Sequence, residues 1–345
     1  MKVLIIKLSS IGDVAQTLPA LYSLKKGLTE KGLKPEIDWL VEEPASGLLA
    51  GHPLIDNVII VKRRSWISDF KGNIKIARFL ASQRYDMVLD FQGLLKSAVW
   101  VALSRCKRRI GFSNYREKST LFLNELLPPY DIEKHAIDRY LDLARYAGGF
   151  TGPAVFKMNF TDDDLASVKA ILARNGLEVK TQRFFVLAPY ARWATKLWND
   201  ESFVAVATDI AKRYAVTPVL IGSLADYKGT EALKARIGNG AINLAGKLDL
   251  KELAALMKLS SFAVTVDSGP MHIAVAGGAK VIALFGPTAP HRTGPYGKGN
   301  IVIQAGIACS PCFKRRCADP KCMAEIPVKD VILAAESILK AKNKS

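Results

Sequence analysis

The segment Ser261–His291, SFAVTVDSGPMHIAVAGGAKVIALFGPTAPH, restricts the fold more than any other stretch of the chain. Ala263 to Val266 is a short β-branched apolar run, as expected of a strand buried in a parallel sheet. Asp267-Ser268-Gly269-Pro270 then supplies an N-cap residue, a flexible residue and a proline suited to a first helical turn. Met271 to Ala276 continues as a small-residue helix able to lie close to a sheet, Gly277-Gly278 stops it, and Lys280 to Phe285 reads as the next strand. Strand, helix and strand in this order form a βαβ unit, so an α/β sheet is required. In an open sheet of that kind the turn sits at the carboxyl end of a strand, where ligands bind. Backbone N–H groups at a helix N-terminus suit a phosphate there. A well-capped structural unit with no ligand accounts for the segment equally well.

The same alternation runs along the whole chain. Lys2 to Leu8, Ile37 to Val41, Val58 to Val61 and Met87 to Phe91 read as strands. Val14 to Leu28 (entered or interrupted by Pro19), Ile74 to Gln83, Leu94 to Leu103 and His135 to Tyr146 read as helices. Beyond Gly152-Pro153, a helix capped at Thr161-Asp162-Asp163-Asp164 precedes a second series: Phe184 to Ala188, Thr217 to Ile221, Ala263 to Val266 and Val281 to Phe285. Val328 to Lys340 reads as a final helix. The expectation is an α/β chain of two doubly wound, Rossmann-like halves facing a cleft. Its divisions are expected at 1–165, 166–327 and a C-terminal helix and tail, 328–345, and the length of 345 residues suits two domains.

The formal net charge of +17 calls for an anionic partner: nucleic acid, an acidic lipid surface or a phosphorylated substrate. Basic residues gather at Lys62-Arg63-Arg64, Lys107-Arg108-Arg109 and Lys314-Arg315-Arg316. No run approaches the ~18 to 20 apolar residues of a membrane-spanning helix. The start, MKVLIIKLSSIGD, reads as a first β-strand rather than a signal peptide, which points to the cytoplasm.

Chemistry-bearing residues fall where strands end. Leu8-Ser9-Ser10-Ile11-Gly12-Asp13 joins the first strand to its helix. Asp13 there suits either a general base or a charge at a helix N-terminus. This is not the dinucleotide fingerprint, because G-x-G-x-x-G is absent. In the second half Thr195 and Lys196 occupy a strand-to-helix loop, where the ammonium can neutralise a diphosphate leaving group. Trp198 reads as packing at the following helix entry. Gly222-Ser223 with Asp226 fits either a ribose or phosphate contact or a plain turn.

KLSSIGDV, DFQGLLKSA at Asp90 to Ala98, TKLW and VDSGPMHIAVAGGAKVIALFGPT, in this order, resemble the ADP-heptose:lipopolysaccharide heptosyltransferases. These are glycosyltransferases of family nine with the GT-B architecture, and the likeness spans nearly the whole chain. Asp38 to Glu43 and Gln92-Gly93-Leu94 look most like the type I enzymes, which add the first heptose to the Kdo region of the inner core. The resemblance implies an inverting transfer with Asp13 as general base. It implies donor contacts from Thr195, Lys196, Asp267, Ser268, Gly269 and His272, the last of which also suits a satisfied, half-buried histidine. Acceptor contacts are implied for Ser10, Gly12, Gln92 and Lys96, and for Lys62, Arg63 and Arg64. Lys62 to Arg78, KRRSWISDFKGNIKIAR, would then lie against the anionic cytoplasmic face of the inner membrane, although a solvated basic helix fits too. The implied donor is ADP-heptose and the acceptor Kdo-lipid A or a heptosylated inner core. No metal or other cofactor is implied for transfer.

Four cysteines, Cys309, Cys312, Cys317 and Cys322, fall within one basic loop with the spacing C-x2-C-x4-C-x4-C. The spacing allows a structural zinc site or an Fe–S cluster, and equally allows free thiols. A similar Cys-Ser-Pro-Cys segment resembles some type II enzymes, so type II or III, or another GT-B transferase, stays open. A basic nucleic-acid-binding protein with a cysteine metal module is a further alternative. No RNA- or DNA-binding motif supports it, so nucleic acid is not an expected partner.

Overall fold

The computed structural model describes residues 1–62, 69–238 and 240–342. The chain divides into two compact units, Met1–Asn159 and Phe160–Ser345. The first holds a six-stranded sheet of β1 (Lys2–Ile6), β2 (Glu36–Glu42), β3 (Asn57–Val61), β4 (Met87–Asp90), β5 (Arg108–Phe112) and β6 (Glu125–Leu127). Its strand order is β3-β2-β1-β4-β5-β6, and every pairing is parallel.

The second unit repeats that plan. Its strands are β7 (Arg183–Ala188), β8 (Val216–Leu220), β9 (Ile242–Asn243), β10 (Ala263–Val266), β11 (Val281–Leu284) and β12 (Ile301–Ile303), in the order β12-β11-β10-β7-β8-β9, again all parallel. Counted from its own first strand, this is the same doubly wound order. In each unit the order reverses between the first and fourth strands, β1/β4 and β7/β10, which are the topological switch points where α/β sheets take ligands.

Strand residues alternate between two buried faces. In the second unit Phe185 and Leu187 enter one apolar core with Phe203, Val206 and Val331, while Phe184, Val186 and Ala188 enter the other with Leu172, Leu256 and Met271. Burial on both faces explains why these strands read as continuous apolar runs. The helix Asp162–Arg174 packs Val168 and Leu172 into the second core, so it belongs wholly to the second unit, and a division at 165/166 falls inside it. The final helix Val328–Lys342 likewise contributes Val331, Ala335 and Leu339 to the second unit's core.

Several local features differ from the sequence reading. The first helix spans Ile11–Glu30, starting before Val14 because the Asp13 carboxylate accepts hydrogen bonds from the Ser10 amide and hydroxyl, both at 2.8 Å, and so closes the first turn. It runs on through Pro19. β5, β6, β9 and β12 carry no readable pattern: β5 opens on two arginines, and the others have two or three residues. Arg108 and Arg109 consequently belong to a sheet, and Arg108 forms a bidentate pair with Glu125 on β6 at 2.7 and 2.9 Å. That basic cluster is partly spent internally. Among the described residues, no helix is long and apolar enough to cross a membrane.

Candidate functional site

In the first unit the loops after β1 and β4 flank the switch point; these loops and the first turns of the helices that follow them carry Ser10, Gly12, Asp13, Gln92 and Lys96. They are joined by side chains. The Gln92 Oε1 accepts from the Leu8 and Ser9 amides, both at 3.1 Å. Lys96 Nζ donates to Ser9 Oγ at 2.7 Å and to Glu42 Oε1 at 2.6 Å. Lys96 is therefore a strut that holds the Ser9–Asp13 turn, with much of its charge met by Glu42. The turn after β4 needs glycine: Gly93 has φ +66°, and a Cβ there would lie 2.5 Å from the Tyr115 ring.

Beneath these loops sits a residue the sequence reading passed over. Lys7 is 3% exposed, and its ammonium donates to the Phe91 carbonyl at 3.0 Å and to the Tyr140 hydroxyl at 2.8 Å. Burial alone would push the Lys7 pKa down, but Tyr140, Asp13 and Asp90 together carry it above the ordinary lysine value. Asp90 is fully buried and accepts from the Gln92 and Gly93 amides and the Ser97 hydroxyl. Burial lifts its carboxyl to about 6 in spite of those donors and of Lys7. The available signal was Lys7, a single lysine within the apolar run VLIIKL. A charge there is retained only where it has partners.

In the second unit the loops after β7 and β10 flank the equivalent switch point. Lys196 Nζ meets Asp267 Oδ2 at 2.5 Å, with both side chains largely buried, and Thr288 donates to the same oxygen at 2.6 Å. Lys196 also lies 4.6 Å from the centroid of the Trp193 ring. Thr195 is buried and donates to the Lys314 carbonyl at 2.8 Å. Ser268 caps the helix Gly269–Ala276 through its backbone alone, and its buried hydroxyl has no hydrogen-bond partner. The positive end of that helix dipole and an unspent hydroxyl share one turn. His272 is half-buried on the same helix. Trp198 is buried edge-on against Phe203 at 5.1 Å, a packing role at the helix entry. Asp226 accepts from the Ser223 amide and hydroxyl, so this turn is closed on itself.

Other sequence candidates stand apart from the switch points. Lys62 follows the edge strand β3, is exposed and lies 3.9 Å from Asp69, while Arg63 and Arg64 fall outside the described residues. The cysteine loop does not assemble as a metal centre: among the described residues no three His, Cys, Asp or Glu side chains are placed to hold an ion. All five cysteines are free. Cys322 is drawn into the apolar core beside Met323, whereas Cys309 and Cys317 face solvent.

Two Rossmann-like units in one chain, each with polar loops at its switch point, make up a GT-B-type glycosyltransferase. A profile of glycosyltransferase family 9 (heptosyltransferase) matches residues 73–323, and the chain belongs to that family. Lipopolysaccharide heptosyltransferase 1 of Pseudomonas aeruginosa is 29% identical over 327 residues, covering 92% of this chain and 87% of that protein. Lipooligosaccharide heptosyltransferase 2 of Haemophilus ducreyi is 27% identical over 317 residues, 88% of each. The solved structure of Escherichia coli heptosyltransferase WaaC with ADP is similar with a TM-score of 0.77 and 26% identity, covering 98% of this chain and all of that one.

Proposed function

We propose that the chain is an inverting heptosyltransferase of lipopolysaccharide inner-core synthesis, taking heptose from ADP-heptose and acting as a type I enzyme on Kdo-lipid A. The observation that carries this reading is the contrast between matching loops: a carboxylate on a braced turn in the first unit, and Lys196 with an unspent Ser268 hydroxyl at a helix N-terminus in the second. The first unit is assigned the acceptor and the second the donor. Ser10, Gly12 and Gln92 shape the acceptor side, which Lys96 braces. Asp13 takes the proton of the acceptor hydroxyl as the acceptor oxygen bonds to the anomeric carbon. The bond from that carbon to the phosphate oxygen breaks, and the electron pair leaves with ADP. Lys196, the amide end of the helix Gly269–Ala276 and the hydroxyl of Ser268 stabilise the departing diphosphate, while Thr195 holds the neighbouring loop at the donor side through the Lys314 carbonyl. Asp267 orients Lys196, and His272 flanks the sugar.

The acceptor is lipid-anchored, so the enzyme works at the cytoplasmic face of the inner membrane. The helix Phe70–Ser82 supports this: it carries Lys71, Lys75 and Arg78 with no acidic residue, and Phe70 at its start is 65% exposed. Lys62, Arg63 and Arg64 precede that helix in the sequence. The deciding experiment supplies ADP-heptose with Kdo-lipid A and, separately, with its monoheptosylated product. Transfer to the first is expected. Transfer only to the second makes the enzyme type II, in line with its likeness to the Haemophilus ducreyi protein, and transfer to neither removes the reading.

A further inference from the structure

We infer that Arg315 is a second cationic donor-binding residue, presented to the diphosphate of the nucleotide sugar by the cysteine-containing loop. The inference rests on the donor-site reading of the second unit. It gives a task to the basic run Lys314-Arg315-Arg316, which the transfer mechanism above does not use.

The loop is fastened to the same sheet end as Lys196. The Cys312 and Phe313 amides both donate to the Pro287 carbonyl, at 3.1 and 2.8 Å, just beyond β11. The Ser310 hydroxyl donates to the Gly286 carbonyl at 2.5 Å. On its other side the Thr195 hydroxyl holds the Lys314 carbonyl at 2.8 Å. Arg315 is thereby laid on Trp193, its guanidinium carbon 4.9 Å from the ring centroid, and Lys196 lies 4.6 Å from the centroid of that same ring.

One indole thus carries two cations. Asp267 balances one of them, Lys196, and shares its oxygen with Thr288. Among the described residues no carboxylate forms an ion pair with Arg315, which is exposed. Two like charges this near one ring repel each other, and a bound anion relieves that repulsion. A diphosphate supplies that anion, and a planar guanidinium held against an aromatic ring offers bidentate contact to phosphate oxygens. Lys314 and Arg316 beside it add to the local positive field.

Calorimetric titration of the full-length protein with ADP and with adenosine tests this. Arg315→Ala is expected to weaken ADP about tenfold and leave adenosine unchanged, with Arg315→Lys intermediate. Arg315→Gln, which keeps a flat group on Trp193 without charge, is expected to match Arg315→Ala. Unchanged ADP affinity overturns the inference. An equal loss for ADP and adenosine also overturns it, because the residue then only orders the loop. If the wild-type protein bound no ADP, the donor-site reading would fall first and this inference with it.

Discussion

The two units share one strand order and use it for opposite chemistry. At the first switch point hydrogen bonds are closed: Asp13 is held by Ser10, Gln92 by two amides, Lys96 by Glu42 and Ser9, and a buried lysine lies beneath. At the second a hydroxyl is left unspent at a helix N-terminus, beside a lysine with a single carboxylate partner. A closed, braced carboxylate suits the handling of one proton at a fixed place. Unspent donors and surplus positive charge suit the capture of an anion that arrives with the ligand. Fold alone therefore does not assign the halves; the balance of satisfied and unsatisfied groups does.

The largest effect should separate proton transfer from donor capture. Asp13→Asn keeps the size of the side chain and removes the base, so turnover should fall about 10²- to 10⁴-fold. ADP affinity, read by calorimetry, should stay within about twofold, because the donor groups lie on the other unit. Near-normal turnover would show that the braced carboxylate is only a helix cap, and the contrast between the units would lose its chemical meaning.

A second test probes the closed side through pH. With a native pKa of about 6 against an ordinary 3.8, Asp90 binds more protons when folded than when unfolded across that interval. Stability contributed at this site therefore falls as pH rises from about 4 to 6, by on the order of 3 kcal/mol. Asp90→Asn should flatten this slope in denaturant unfolding of the full-length protein compared with wild type. Parallel pH profiles in the two proteins would mean that Lys7 and the three donors hold the carboxylate charged throughout.

How much of this was legible in the sequence follows from how local each signal is. The strands buried on both faces show as apolar runs, and the turns Ser10–Asp13 and Asp267–Gly269 show as polar breaks between a run and a helix. Trp198 read correctly as packing because an acidic, capped helix start follows it at once. What did not show depends on partners far along the chain. Lys7 finds Tyr140, 133 residues away, and Asp267 finds Thr288, while Thr195 and Trp193 meet the Lys314-Arg315 loop. Arg108 resembled a free cation because β5 and β6, whose pairing brings it to Glu125, are too short and too polar to announce a sheet. The cysteine spacing allowed a metal as well as free thiols; among the described residues no metal-ligand set is assembled, and Cys322 packs into an apolar core.

On the open side, Lys196→Ala should weaken ADP about 10- to 100-fold, the usual worth of a hydrogen bond between charged groups. The same change leaves Asp267 buried without its cation, which costs stability as well. Lys196→Met combined with Asp267→Asn removes both charges together and should restore most of the lost stability without restoring ADP affinity. If affinity returned with stability, the pair would be structural and the second unit would be as closed as the first.

The smallest effect is the sharpest discriminator. A hydroxyl that the fold uses can be removed only at a cost in stability, whereas one reserved for a ligand can be removed freely from the empty protein. Ser268 has a buried hydroxyl with no internal partner, so Ser268→Ala should leave the denaturation midpoint unchanged or slightly raised. ADP affinity should still drop, by up to about tenfold, for loss of one hydrogen bond to phosphate. The matching control in the first unit is Ser97→Ala, which removes a hydroxyl donor to the buried Asp90 and should lower stability by about 1 to 3 kcal/mol while sparing ADP. Opposite responses to the same serine-to-alanine change would establish that one switch point is closed by its own fold and the other completed by its ligand. A stability loss at Ser268 equal to that at Ser97 would erase the distinction.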